Sequence, residues 1–269
     1  MIIKNTLILN EDGADLSILT RLLAEKDIAA VVESREILYE NGKPFDAAKF
    51  DSLIYSGKTV NFVEKAMEFA VNAKIKRAIL IGSALSCFDR IFPDKKLAET
   101  HNYIRQANLC AETALSFADK ISISIVELPF LEGEWPPEFN TVLGVVGFDC
   151  KRFFFAPDGG TAEITAENAA KAIYICLING KNGVKYPICD KSRKYKAILS
   201  EKAGETAKVY DYPVEFARLT ALLKGRELKK QGLTPDFDLY GLYSDLLLQN
   251  LYFNADGVKG SLKYDETDI

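Results

Sequence analysis

The sequence predicts an α/β fold: a mostly parallel sheet with helices on both faces, plus a smaller C-terminal α/β lobe. Two observations carry this expectation. Short apolar runs alternate with amphipathic segments up to about residue 130, and strands alternating with helices build parallel sheets through right-handed crossovers. The chain also opens with an apolar strand, a tight turn and a helix, which is how a Rossmann-type nucleotide-binding domain begins.

The elements follow in order. Thr6 to Leu9 forms the first strand, and "LNEDGADLS" (9 to 17) turns into a helix with Leu16, Leu19, Leu22 and Leu23 at helical spacing. "IAAVV" (28 to 32) suits a buried parallel strand, and "DSLIYSG" (51 to 57) is a second short strand ending in glycine. In "TVNFVEKAMEFAVNAK" (59 to 74), Val60, Val63, Ala66, Met67 and Ala70 share one helical face. "RAILIGS" (77 to 83) is a central strand, residues 101 to 118 are helical, and "ISISIVELP" (121 to 129) closes the series. Beyond residue 130 the rhythm is less even. Strands are expected at "RFFFAP" (152 to 157) and "KYPI" (185 to 188), and a helix at 164 to 178 capped by Thr165. Further helices are expected near 195 to 204, 214 to 224 and 239 to 250. Residues 1 to 150 read as the Rossmann-type domain and 151 to 269 as the smaller lobe, interleaved because no linker-like stretch divides them.

Composition narrows the classes of function. With 48% hydrophobic and 27% charged residues, the chain is ordinary for a globular protein. No apolar run is long enough to cross a bilayer and no signal-peptide cleavage site follows the first residues, so a cytoplasmic protein is expected. The net charge of −4 and the absence of a dense basic stripe argue against nucleic acid as a partner. "KGRELKK" (224 to 230) reads as a solvated helix end. Five scattered cysteines form no CxxC pair and one histidine, His101, excludes a multi-histidine centre, so no metal site is expected.

Several segments resemble a known family in order and spacing. "KIKRAILIGSALSCF" is similar to a strand whose apolar run ends at a catalytic Ser or Thr, and "AETHNYIRQANLCAE" to a helix in which Tyr is followed four residues later by Lys. "ELPFLEG" stands where an Arg-Pro dipeptide and a glycine follow the next strand, and "DGGTAEITAENAAKAI" is similar to the return from the substrate lobe. The closing "GSLKYDETDI" also looks like the family's last segment. Together they resemble the extended short-chain dehydrogenase/reductase group, the NAD-dependent epimerase/dehydratase family of sugar-nucleotide enzymes. The resemblance implies a Rossmann domain, NAD or NADP as cofactor and a substrate cleft. The segment after "IAAVV" is short for the family's third strand and helix, so the sheet is expected to lack one strand.

The family's three glycines let the backbone turn tightly against the pyrophosphate at a helix N-terminus. Here only Gly13 remains; Asn10 and Glu11 replace the first positions, Leu16 the last, and Glu11, Asp12 and Asp15 add carboxylates. One carboxylate about 6 Å from a phosphate charge costs roughly 2 to 3 kcal/mol at an effective dielectric near 20. Asp12 as N-cap with Asp15 three residues later gives a capping-box-like pair, filling the anion site from within. Glu33 lies 20 residues beyond Gly13, where the family's acidic residue binds ribose, and Arg35 is placed to meet a 2′-phosphate; exposed loop charges are the other reading.

For the chemistry, Ser83 matches the hydroxyl position and Tyr103 the acid/base position, but Ala107 stands where the lysine belongs. Moving the register by one puts Asn108 there and loses the tyrosine to Ile104. His101, at the head of this helix, reads as a surface or capping residue. "EWPPE" (134 to 138) reads as a rigid loop beside the cleft, and "DLYGLYSDLLLQNLYFN" (238 to 254) as a helix packed on the lobe or a partner surface, including one for a homo-oligomer. Three functional readings stand: a diverged family member with a small-molecule or partner cleft, an active oxidoreductase or epimerase using Ser83 and Tyr103, and a non-catalytic interaction subunit.

Overall fold

The computed structural model describes residues 2–11, 13–38, 47–132, 153–203, 208–232 and 238–264. The first strand, β1 (Asn5–Asn10), leads to helix α1 (Ser17–Glu25) and strand β2 (Ala29–Glu33). Strand β3 (Ser52–Ser56), helix α2 (Val60–Asn72) and strand β4 (Arg77–Ser83) follow. Helix α3 (Leu85–Ile91), the single turn α4 (Leu97–Thr100) and helix α5 (Asn102–Leu115) then lead to strand β5 (Ser122–Leu128). The second half contributes β6 (Phe130–Leu131), β7 (Phe153–Ala156), β8 (Gly160–Ile164), α6 (Ala166–Asn179) and β9 (Val184–Pro187). It ends with β10 (Lys191–Lys194), α7 (Tyr195–Ala203), β11 (Lys208–Asp211), α8 (Val214–Lys230), α9 (Leu239–Leu242), β12 (Asn250–Leu251) and α10 (Asp256–Leu262).

Six parallel strands form the main sheet in the order β2-β1-β3-β4-β5-β9. Alternation along the strands feeds two cores. Ile8, Ile54, Ile79 and Val126 face α1 and α6, while Leu7, Leu9, Leu53, Leu80 and Ile125 face α2 and α5. Among the described residues the order is that of a Rossmann sheet without the strand outside β2. "IAAVV" is therefore an edge and not the buried strand that its composition predicts: Val32 is 45% exposed, because no described strand covers it. Arg77, at the start of β4, donates to the carbonyls of Leu177, Ile178 and Gly180, closing the C-terminal end of α6 against the sheet.

The smaller sheet runs β10-β8-β12, with β6 on β8, and β7 pairs separately with β11. α6 and β9, from the second half of the sequence, complete the layers of the first. Thr165 caps α6 as its sequence predicts, accepting the Asn168 amide at 3.2 Å. The expected helix over 239 to 250 is broken after Leu242 by a π turn, Tyr243–Leu247. Leu242, Leu246, Leu247 and Leu251 are fully buried with Phe88 and Ile104, so these leucines serve the lobe's core, as the packed-helix reading expects.

Among the described residues no helix is long and apolar enough to cross a membrane. Cys87, Cys110, Cys176 and Cys189 are buried thiols; Cys150 lies outside the described residues. Burial pushes the Cys176 thiol up to about 12 and Cys189 up to about 11, so neither is a thiolate near neutral pH.

Candidate functional site

Open parallel sheets bind ligands at the C-terminal ends of their strands, where the connections part to opposite sides. Here that point lies between β1 and β3, because the chain passes from β1 outward to β2 and then back to β3. Glu11 is the first residue after β1 and reaches across the gap. Its Oε2 accepts the Tyr55 hydroxyl at 2.7 Å and, more weakly, the Thr59 amide at the head of α2 at 3.4 Å. Gly57 makes this possible: a Cβ there would stand 2.1 Å from that Oε2.

The rest of the turn is also closed on itself. Asn10 donates to the Ala14 carbonyl at 2.8 Å and accepts the Ala14 amide at 3.2 Å. Gly13 keeps its place because the backbone there has φ +67°, a left-handed conformation that glycine adopts without strain. Helix α1 starts at Ser17 with Leu16 as N-cap, later than the Asp12–Asp15 capping pair requires. That pair is thus corrected. Among the described residues of the turn, Asp15 accepts the Ser17 amide at 2.9 Å, and this bond holds its pKa below the ordinary carboxylate value. Asp12 lies outside the described residues.

These residues do not fit the pyrophosphate of NAD or NADP. A phosphate needs free amides and positive potential, whereas here the Ser17 amide is bound to Asp15 and the Glu11 carboxylate bridges the strands. Glu33 ends β2 in register with Leu9, and Arg35 opens the short 3-10 turn Arg35–Leu38. Glu33 belongs to the edge strand and is not among the residues that line the cleft described next.

Further along the same sheet edge, a cleft of about 410 Å³ opens between the ends of β3, β4 and β5 and the first turns of α5. Ser83 and Tyr103, far apart in sequence, both line it, as do Gln106 and Ala107 on the Tyr103 face of α5. Ser83 Oγ accepts the Leu85 amide at 3.2 Å, which fixes the hydroxyl at the head of α3. α3 is held in turn by Arg90, whose two Nη atoms donate to both oxygens of the buried Glu127 on β5.

Lys58 is the site residue that sequence reasoning missed. It lies between the β3 strand and α2, lines the cleft, and places its Nζ 5.6 Å from the centre of the Tyr103 ring. The only sequence signal was a lysine directly after the strand-ending glycine of "YSGKT". A lysine from this loop thus supplies a cation beside the tyrosine, where α5 itself offers Ala107.

His101 stands at the N-cap position of α5, as expected, but it is not a surface residue and its cap is not a side-chain one. It is fully buried, its Nε2 is 3.4 Å from Asp245 Oδ2, and its side chain makes no capping bond to α5. Burial lowers its pKa, against the pull of Asp245 and Asp238. The "EWPPE" loop lies outside the described residues. Among the described residues no group of three or more His, Cys, Asp or Glu could hold a metal ion.

The fold belongs to a well-populated class of α/β enzymes. A nucleoside-diphosphate-sugar epimerase from Pseudomonas aeruginosa superposes with a TM-score of 0.64 at 14% identity, covering 100% of this chain and 94% of that one. A UDP-N-acetylglucosamine 4-epimerase from Bacillus cereus gives 0.61 at 9% identity over 96% of this chain and 92% of its own. The triphenylmethane reductase of Citrobacter sp., solved with NADP(H), gives 0.58 at 11% identity over 95% and 94%. The chain therefore has the Rossmann-type epimerase and reductase fold that the sequence resemblance implies. No protein-family model and no curated protein matches the sequence.

Proposed function

We propose that this is an epimerase/dehydratase-like protein that has left nicotinamide chemistry and uses the cleft between Ser83, Tyr103 and Lys58 to bind a small molecule. The observation that carries this reading is Glu11. Its carboxylate occupies the crevice between β1 and β3 and accepts the Tyr55 hydroxyl, while the cleft beside it is open. A cleft of about 410 Å³ is within the range of small-molecule sites, and its polar groups converge from separate elements. Titration calorimetry with NAD and NADP, oxidised and reduced, tests the reading. No binding in the micromolar range is expected; micromolar binding to the wild-type protein would overturn it.

A second reading, an active oxidoreductase or epimerase, is favoured by one observation. Lys58 stands beside Tyr103 and could take the electrostatic part of the missing lysine. In that case Ser83 would hydrogen-bond the reacting oxygen and Tyr103 would transfer the proton. Hydride transfer over a panel of nucleotide sugars, abolished by Tyr103→Phe, would establish it.

A further inference from the structure

Helix α8 (Val214–Lys230) turns one side to the lobe and carries a band of leucines on the other. Val214, Ala221 and Leu228 recur every seven residues, about two turns, and all three pack on the lobe's core. Leu219, Leu222 and Leu223 lie away from that side and are 52%, 39% and 56% exposed. Single apolar residues scattered on a surface are ordinary, but three at i, i+3 and i+4 of one helix form a contiguous band.

The charges around this band select its partner. At about 100° per residue, Glu215 and Arg226 fall on the same flank of the leucines. With about 1.5 Å of rise per residue, Glu215 stands about 9 Å before the level of Ala221 and Arg226 about 7.5 Å after it. Both are exposed, and among the described residues neither makes an ion pair within its own chain. A two-fold axis across the helix at Ala221 reverses its direction and keeps each flank opposite its own counterpart. Glu215 of one copy then meets Arg226 of the other, and the pair occurs twice. Parallel helices would set Glu215 on Glu215 and Arg226 on Arg226, which repel.

We propose that α8 is the interface of an antiparallel homodimer, with Leu219, Leu222 and Leu223 of two copies packed together and Glu215–Arg226 pairs at both ends. The band complements itself, whereas an unrelated partner gives no reason for opposite charges to lie symmetrically about Ala221. One helix face is a small interface, so a reversible dimer with a dissociation constant on the order of 10 to 100 μM is expected. The proposal is independent of the Ser83–Tyr103 cleft.

Sedimentation equilibrium of the full chain from about 1 μM to about 1 mM measures it. Leu219→Gln/Leu223→Gln should remove the dimer. Glu215→Lys should weaken it by about ten-fold, with the circular dichroism spectrum unchanged in both variants. The exchange Glu215→Lys/Arg226→Glu should return the affinity to within about three-fold of the wild type. A monomer throughout the concentration range would overturn the proposal and leave the leucines to another partner. So would a dimer indifferent to the leucine substitutions, whose interface would lie on another face, or a charge exchange that does not restore association.

Discussion

The carboxylate of Glu11 accepts the hydroxyl of Tyr55 at 2.7 Å, joining β1 to β3 at the point where this fold would receive a dinucleotide. Tyr55 is fully buried, so its hydroxyl needs a partner within the protein. Glu11 supplies it, and in doing so brings negative charge into the crevice.

Gly57 and Glu11 should therefore be coupled. A Cβ at residue 57 meets Glu11 Oε2 at 2.1 Å and the Tyr55 hydroxyl at 2.8 Å. Gly57→Ala is expected to destabilise the protein by about 1 to 3 kcal/mol, the usual range for overpacking. In urea unfolding, the Glu11→Ala/Gly57→Ala double variant should lose less than the sum of the single changes. Strict additivity would mean that the two residues do not meet.

A lysine placed beside Tyr103 on α5 should not by itself produce nicotinamide turnover. Ala107→Lys places a cation one helical turn beyond Tyr103, on the face that lines the cleft. The crevice between β1 and β3 still holds Glu11, and Asp15 still holds the Ser17 amide. We expect no nicotinamide turnover in a hydride-transfer assay on nucleotide sugars. Turnover from this single substitution would promote the active-enzyme reading.

Arg90 and Glu127 hold α3, and with it Ser83, over β5. Glu127 is 1% exposed, so Arg90→Met leaves a buried carboxylate without its cation. Breaking such a pair typically costs about 3 to 5 kcal/mol; the guanidinium is partly in water, so roughly 2 to 3 kcal/mol is expected here. Adding Glu127→Met should recover most of that loss in equilibrium unfolding. A double variant as unstable as Arg90→Met would point to packing and not to charge.

The His101 environment gives stability a pH dependence. Burial holds the folded-state pKa below the ordinary 6.5, against the opposing pull of Asp245 and Asp238. As pH falls through 6.5 the unfolded chain takes up a proton that the folded chain does not. The contribution is complete above that value and is lost as pH falls below it. Between about pH 7.5 and about pH 5.5, the wild type should lose more stability than His101→Gln. Parallel curves for the two proteins would show that His101 is not the group responsible.

The sequence by itself determined the layers. Leu19, Leu22 and Leu23 on α1, and Val63, Ala66 and Met67 on α2, are periodic within one turn or two, and hydrophobic periodicity is a local property of the chain. The order of strands and helices followed, as did Thr165 at the head of α6, because capping involves only three residues of separation. The three carboxylates and single glycine of the first turn were legible for the same reason. What the carboxylates do was decided by tertiary structure alone. Glu11 finds Tyr55 and Thr59, 44 and 48 residues away, and no periodicity within the turn encodes partners at that distance. Lys58 meets Tyr103 only because β3 and β4 lie side by side and α5 packs over them, and His101 is buried only because residues 238 to 251 return to cover it. Local pattern fixes which face of an element is apolar; which polar side chains converge at its ends depends on contacts that exist only once the sheet has closed.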